Sequence, residues 1–217
     1  MVFIDEFPSG AVDFYADTLT RTATALARQD VTTARTDLEP IAGELWTGRV
    51  RAPISSQGTP AAPRRVKASA RARVLIRDRF RCTYCGGRGV PWCVLVAISD
   101  VFPDAFADNA NYKRAAIHPA YWVLVLEADH TIAHTHGGSD DDDNLTAMHA
   151  LCNTTKSNAH LRELETPELI AATRRWDGLI STHAGIVRTG ESHGRRHAAP
   201  TYHADWLRRF PHQPGST

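Results

Sequence analysis

The sequence predicts an α+β fold, in which a small core of two strands and a helix lies between two helical regions. The first observation is two pairs of metal-binding residue types: Cys82 and Cys85, then His149 and Cys152. Two such pairs can close a tetrahedral zinc site. The second is an apolar run of branched and aromatic residues that ends at Asp129-His130, between the pairs. Such a run predicts a strand.

Length and composition describe an ordinary globular chain. It has 217 residues, of which 42% are apolar and 23% charged, enough for one core with appendages. The longest apolar runs, at 92–98 and 122–126, are too short to cross a membrane, and the first residues are acidic where a signal peptide is basic. We therefore expect no membrane association and a cytoplasmic location. There, the cysteines are metal ligands or buried thiols rather than disulfides.

Breaks in composition divide the chain into three regions. Residues 1–63 are predicted to be a helical N-terminal region, helical from about Phe14 to Trp46, with a closing linker rich in Pro, Ser and Gly. Residues 64–165 are the predicted central domain. Residues 166–217 are the predicted helical C-terminal extension and tail.

A basic stretch opens the central domain. It contains these cations, opposed only by Asp78: Arg64, Arg65, Lys67, Arg71, Arg73, Arg77, Arg79 and Arg81. Residues 67–79 fit a short helix, and a solvated helix face is the ordinary interpretation of such a pattern. Its position directly before Cys82 instead favours contact with phosphate, with Arg79 and Arg81 as the candidate residues.

The first pair of cysteines lies where the chain can turn tightly. Cys82 and Cys85 are followed by two glycines, which let the backbone fold around a metal. The apolar segment around Cys93 fits either a strand or a buried helix, and its thiol fits a buried, inert group. Cys93 is nevertheless a rival to His149 as the fourth zinc ligand.

A second strand and a helix complete the predicted core. The Gly-Gly pair at 137–138 opens a long turn, residues 144–146 return as a strand, and a helix follows from Met148 to about Leu164. A further helix is predicted from Pro167 to Leu179. Beyond Gly185 the composition predicts a mobile tail that is closed by a segment at Tyr202 to Phe210.

In their order and spacing, these motifs resemble the HNH endonuclease family over roughly Arg73 to Leu164. The matching residues are Asp129-His130, Gly137-Gly138, Asp143-Asn144-Leu145, and His149-x-x-Cys152-Asn153-x-x-Lys156, while Cys82-x-x-Cys85 matches the zinc-bearing branch. The resemblance implies a ββα-metal core with a structural zinc ion and a catalytic Mg²⁺ or Mn²⁺. His149 stands where members of the family usually have cysteine.

Residue chemistry and the resemblance together give the candidate roles. A neutral imidazole is the natural base near neutral pH, so His130 is the candidate general base, aimed by a hydrogen bond to Asn144. Asp129 is a hard ligand for Mg²⁺ or Mn²⁺, and the resemblance implies Asn153 as the second ligand. Lys156 is expected to meet a DNA phosphate. Because Asp129 and His130 are adjacent on a strand, we expect a bend or bulge that lets both reach one site.

The activity that the resemblance implies is hydrolysis of DNA phosphodiester bonds, with restriction or defence against foreign DNA as the expected setting. Double-stranded DNA is the expected partner. A non-catalytic, zinc-dependent DNA-binding module is the alternative, and an RNA-directed nuclease also stays open. The flanking regions are the candidates for target choice or for homodimer formation.

Several neighbouring groups fit more than one interpretation. Tyr121 and Trp122 fit hydrophobic core or base stacking. The loop histidines His134 and His136 fit solvated side chains, phosphate contacts or ligands of a second metal. The acidic run at 140–143 fits a solvated tip or a cation site.

Overall fold

A computed structural model of the chain describes residues 3–4, 7–51, 66–133, 136–156 and 175–210. The predicted linker after Arg51 and most of the helix predicted at 167–179 lie outside the described residues. The last part of that helix, 175–179, is described and is not helical. None of the described helices combines the length and the apolar character needed to cross a membrane.

Helices contain far more of the described residues than strands do, and the α+β class predicted from the sequence is confirmed. The helices are α1 (Ala11–Ala27), α2 (Val31–Leu38), α3 (Ala68–Arg77), α4 (Trp92–Val101), α5 (Ala120–Leu124), α6 (Ala150–Lys156), α7 (Ile180–Ser192) and α8 (Tyr202–Arg209). The strands form two antiparallel pairs, β1 (Phe3–Ile4) with β2 (Val50–Arg51) and β3 (Leu126–His130) with β4 (Leu145–His149).

The hairpin of β3 and β4 is regular along its whole length. Its register runs without interruption from Leu126 opposite His149 to His130 opposite Leu145. The bulge predicted at Asp129 and His130 is therefore wrong. Successive side chains of a regular strand point to opposite faces, so these two residues lie on opposite faces of the hairpin.

Two apolar runs whose composition fits a strand are mostly helical in the structure. Residues 122–126 were expected to open the strand, but most of them belong to α5, and β3 begins only at Leu126. The run at 92–98 lies in α4, which is the buried-helix alternative. Both helices are buried on nearly every side. Because neither helix has a polar face, its sequence shows no helical periodicity. Its branched and aromatic residues therefore resemble those of a strand.

Residues 82–87, which carry Cys82 and Cys85 and form a turn that we call the knuckle, lie against the outer edge of β4. The main-chain N–H of Thr83 donates to the carbonyl oxygen of Ala147 at 2.8 Å. The Asp78 carboxylate, just after α3, accepts from the N–H of Ala147 at 2.8 Å. The outward N–H and C=O groups of Ala147 are thus paired with Asp78 and with Thr83 of the knuckle rather than with a third strand.

The terminal helices pack into the same hydrophobic core as the hairpin. That core contains Leu19 of α1, Ile98 of α4 and Leu126 of β3. Helix α7 approaches α1 closely, since a Cβ at Gly185 would lie 2.7 Å from the Cα of Ala27. Helix α7 extends past Gly185, where the sequence predicted a mobile tail, and that expectation is wrong for residues 186–192. Helix α8 lies where the sequence placed the segment that closes the tail.

His118 is a buried member of this core. Its Nε2 donates to the carbonyl oxygen of Ile41 at 2.8 Å, and its Nδ1 accepts from the N–H of Ala120 at 3.1 Å. Both ring nitrogens are therefore satisfied in the neutral form. Burial lowers the pKa of His118 to about 4.

The low pKa of His118 predicts acid sensitivity. The folded protein keeps the ring neutral down to about pH 4, whereas the unfolded chain protonates it below about pH 6.5. Because the unfolded state binds more protons between these values, the free energy of unfolding falls as the pH drops. We expect this group to lower it by about 2 kcal/mol at pH 5 relative to pH 7.5.

Urea unfolding of the wild type and of His118→Gln at both pH values measures this contribution. The variant is expected to be less stable at pH 7.5 but to lose less stability on acidification. An equal pH dependence in the two proteins would contradict the assignment.

Candidate functional site

Four side chains converge where the knuckle meets the start of α6. The Sγ atoms of Cys82, Cys85 and Cys152 and a ring nitrogen of His149 all lie within 4.8 Å of one another. Cys85 Sγ and His149 Nδ1 are 3.4 Å apart. Three thiols and an imidazole are a donor set that suits zinc in structural sites. The cluster is therefore able to hold a metal ion such as zinc.

The ring of His149 is oriented by the main chain. Its Nε2 lies 3.0 Å from the carbonyl oxygen of Arg88 and donates to it, which leaves Nδ1 to face the thiols. The Arg88 side chain is itself held by Asp13 and Asp17 of α1, at 2.9 and 2.7 Å. The cluster is thus connected to α1, far from it in sequence.

The rival ligand Cys93 is not a member of the cluster. It lies on α4, where burial raises the pKa of its thiol. Within the cluster, hydrogen bonds from Cys152 and Cys85 lower the pKa of Cys82. A lowered pKa favours the thiolate, the form that binds metals. His149, and not Cys93, completes the group of four.

Asp129 faces α6 and is paired with a lysine. Its Oδ2 lies 2.8 Å from Nζ of Lys156, and the two side chains are 15% and 1% exposed. The sequence predicts Lys156 as a contact to DNA phosphate, but the structure buries its ammonium group against this carboxylate. A buried charge needs a counter-charge, and Asp129 supplies it.

His130 faces the loop between β3 and β4. Its Nε2 lies 2.8 Å from Oδ1 of Asp140. Asn144, predicted to aim this ring, binds the loop main chain instead. Its Nδ2 donates to the carbonyl oxygens of Ile132 and Ser139 at 3.1 and 2.8 Å, and its Oδ1 accepts from the N–H of Ile132 at 2.9 Å. Asp140, from the acidic run, therefore orients His130.

The Gly-Gly motif lets this loop close. A Cβ at Gly138 would lie 1.8 Å from the carbonyl oxygen of Ile132, so only glycine fits there. The Asn144 side chain hydrogen-bonds the same stretch of backbone. Gly138 and Asn144 together bring the acidic run at 140–143 back toward β3. Of the loop histidines, His136 is exposed and His134 lies outside the described residues.

Asn153 contacts a residue to which the sequence assigns no role. Its Nδ2 donates to Oε2 of Glu127 at 2.7 Å. Glu127 and Asp129 are two residues apart on β3 and share one face, whereas Asn153 and Lys156 are three apart on α6. Each helix residue therefore meets one carboxylate of the strand. The sequence feature that could have indicated this pairing is the spacing of Glu127 and Asp129, two positions apart on one strand.

Two arginines of the basic stretch form hydrogen bonds with the end of the loop and the start of β4. Arg73 donates twice to the Asp142 carboxylate, at 2.6 and 2.9 Å, and Arg77 donates to two main-chain carbonyls at 2.7 and 2.6 Å. The acidic run is therefore more than a solvated tip. Arg79 is exposed in the turn after α3, and Arg81 donates to a carbonyl of the knuckle at 3.2 Å.

Tyr121 and Trp122 are core residues. They are 0% and 6% exposed, and the Trp122 ring centroid lies 4.8 Å from that of Trp46 and 4.5 Å from that of Tyr112. Base stacking requires an exposed ring face. The core interpretation of these residues is confirmed.

The geometry of the cluster predicts its metal content. We expect one zinc ion per chain in the purified protein, lost in His149→Ala and kept in Cys93→Ala, because His149, unlike Cys93, lies with the other three candidate ligands. Elemental analysis measures zinc per chain. Thermal unfolding should show a lower midpoint for His149→Ala, since the free energy of metal binding is also free energy of folding. Zinc loss in Cys93→Ala alone would reverse the assignment.

The buried pair predicts a stability effect that a cation can offset. Lys156→Met leaves the Asp129 carboxylate without its counter-charge, so we expect a loss of about 3 kcal/mol in the free energy of unfolding. Added Mn²⁺ should stabilise this variant more than the wild type, because a bound cation replaces the missing charge. Urea unfolding with and without Mn²⁺ measures both effects. The exposed Lys113, changed to Met, is the control, and equal losses in the two variants would contradict the pairing.

Comparison with known proteins bears on the same segment of the chain. Residues 122–159 match the family model of HNH endonucleases. The matched segment contains β3, the loop, β4 and α6, and therefore Asp129, His130, Asn144 and Asn153. No curated protein and no solved structure matches the chain. The similarity to the HNH endonuclease family therefore covers the part of the chain that contains the hairpin and α6.

Proposed function

We propose that the protein is a metal-dependent endonuclease that hydrolyses DNA phosphodiester bonds. The observation that carries the proposal is the unit of β3, β4 and α6, which holds Asp129 and Asn153 on one face of the hairpin and His130 on the other, within the segment that matches the HNH family. Members of that family are usually nucleases. Hydrolysis of a phosphodiester needs an activated water and stabilisation of charge on the phosphoryl oxygens.

His130 is the proposed general base. Its side chain is 18% exposed, so water can reach the ring, and Asp140 lies 2.8 Å from Nε2. A carboxylate on one ring nitrogen fixes the tautomer and stabilises the imidazolium that forms when the other nitrogen takes a proton. Asp140 then has the orienting role that the sequence suggested for Asn144, and Asn144 holds the loop.

Asp129 and Asn153 are the proposed ligands of the catalytic cation, Mg²⁺ or Mn²⁺. A carboxylate and a carboxamide oxygen suit either ion, which when bound supplies charge stabilisation to the phosphoryl oxygens. Lys156 now neutralises Asp129. Release of this pair would free the carboxylate as a ligand and the ammonium group as a contact for phosphate.

Double-stranded DNA is the proposed substrate, and restriction or defence against foreign DNA is the proposed setting. Arg79 and Arg81 are the proposed phosphate contacts, since both follow α3 next to the knuckle. In this proposal residues 64–165 carry the chemistry. Residues 1–63 and 166–217 serve target choice or homodimer formation.

A non-catalytic, zinc-dependent DNA-binding module is the competing function. The ion pair of Asp129 with Lys156 favours it, because a carboxylate engaged in this way is not free to bind a cation. Binding would use the metal cluster and the exposed arginines, but it needs no imidazole paired with a carboxylate. The His130–Asp140 pair therefore favours the enzyme.

Plasmid cleavage tests the proposal. The zinc-loaded protein should cut in Mg²⁺ or Mn²⁺, and His130→Ala should cut more slowly by a factor of about 10² to 10⁴. Asp140→Asn should cut about tenfold more slowly, because it keeps the shape but loses the charge that stabilises the imidazolium. Gel quantification of nicked and linear DNA gives the rates.

His193→Ala, at an exposed position after α7, is the matched control and should cut at the wild-type rate. Cutting by His130→Ala at that same rate would refute its role as base. If every protein binds DNA with its zinc intact and none cuts, the binding module is the better account.

A further inference from the structure

Glu127 is the centre of a polar chain that the proposed mechanism leaves without a role. Its Oε2 accepts from Nδ2 of Asn153 at 2.7 Å, and its Oε1 accepts from the hydroxyl of Tyr112 at 3.3 Å. Each carboxylate oxygen therefore has a donor. The three side chains come from β3, from α6 and from the segment between α4 and α5.

This contact decides which end of the Asn153 carboxamide is available to a further partner. A carboxylate accepts hydrogen bonds, so the NH₂ group must be the end that faces Glu127. The carbonyl Oδ1 is left over, and within the described ranges it has no hydrogen-bond partner. Hard cations bind carboxamides through this oxygen. Asn153 is thus held with its NH₂ group on Glu127 and its carbonyl oxygen directed away from that carboxylate.

Glu127 is itself held in place by a rigid neighbour. The ring of Tyr112 packs against Trp92 and Trp122, with centroid separations of 5.3 and 4.5 Å. Burial, followed by the charge of Glu127 and the hydrogen bond to it, raises the pKa of Tyr112. The hydroxyl therefore stays protonated near neutral pH and keeps donating to the carboxylate.

The two proposed ligands, Asp129 and Asn153, have partners of opposite charge. Asp129, a carboxylate, is matched by the cation Lys156, whereas the neutral amide of Asn153 is matched by the anion Glu127. A cationic side chain at position 127 would bind the carbonyl oxygen of Asn153 and turn it toward position 127. The anionic Glu127 binds the NH₂ group instead and leaves the oxygen on the other side, which is the arrangement expected of an outer residue that orients a metal ligand.

We propose that Glu127, supported by Tyr112, is a positioning residue that orients Asn153 as a ligand of the catalytic cation. The inference rests on the proposed function, because it takes Asn153 as that ligand. Glu127 acts through the amide and not by touching the cation. Residues that orient metal ligands typically change metal affinity by roughly 10- to 100-fold when they are replaced.

The test is the affinity of the full, zinc-loaded chain for Mn²⁺, titrated by calorimetry or by electron paramagnetic resonance. Glu127→Gln and Glu127→Met have similar size and both remove the negative charge, but only glutamine keeps an acceptor for the Asn153 amide. We expect Glu127→Met to bind Mn²⁺ roughly tenfold more weakly than Glu127→Gln. Zinc content should be the same in both.

Equal Mn²⁺ affinity in the two variants would overturn the positioning role, because loss of the acceptor for the Asn153 amide would then have no effect on the cation. Asn153→Ala separates this inference from the proposed function. If it weakens Mn²⁺ binding while the two Glu127 variants are equal, only the inference fails. If it binds Mn²⁺ like the wild type, Asn153 is not a ligand and both fail.

Should Glu127→Met lose zinc, Tyr112→Phe takes its place in the comparison. It removes one donor to Glu127 and leaves the ring packing intact, so we expect Mn²⁺ to bind roughly threefold more weakly than in the wild type. An unchanged affinity in Tyr112→Phe would then overturn the inference.

Discussion

The Cys/His cluster is the constraint on which the rest of the site depends. Cys82 and Cys85 come from the knuckle, His149 ends β4, and Cys152 lies on α6. Two short strands and one short helix bury too little apolar surface to fix their own geometry. A metal ion held here would tie the three pieces together and would add its binding free energy to folding. It would thereby fix the direction in which α6 leaves the hairpin.

That direction brings α6 along one face of β3, where two polar pairs fix the register. Asn153 meets Glu127 and Lys156 meets Asp129, at 2.7 and 2.8 Å. A slip of β3 by one residue would turn both carboxylates to the other face and leave Lys156 buried without a counter-charge. The same pairs that select one packing thus prepare the two proposed ligands, because each holds its partner in one orientation.

The opposite face of β3 is organised by the loop. His130 is paired with Asp140, while Asn144 bonds the loop backbone and Arg73 holds Asp142. Residues that resemble a solvated acidic tip therefore orient an imidazole and anchor the hairpin to α3. The knuckle is in turn tied to α1 through the side chain of Arg88. The predicted central domain and the N-terminal helices consequently share one hydrophobic core.

The sequence by itself determined the local features: the spacing of the four candidate metal ligands, the strand that ends at Asp129 and His130, the returning strand, and the helix after it. Each depends on residues a few positions apart, whose types and periods are visible in the chain. Only the tertiary structure decided the partners of Lys156, His130 and Asn153, and the helical form of residues 92–98. Partners distant in sequence meet only when the chain packs, and complete burial removes the polar face that would reveal a helical period.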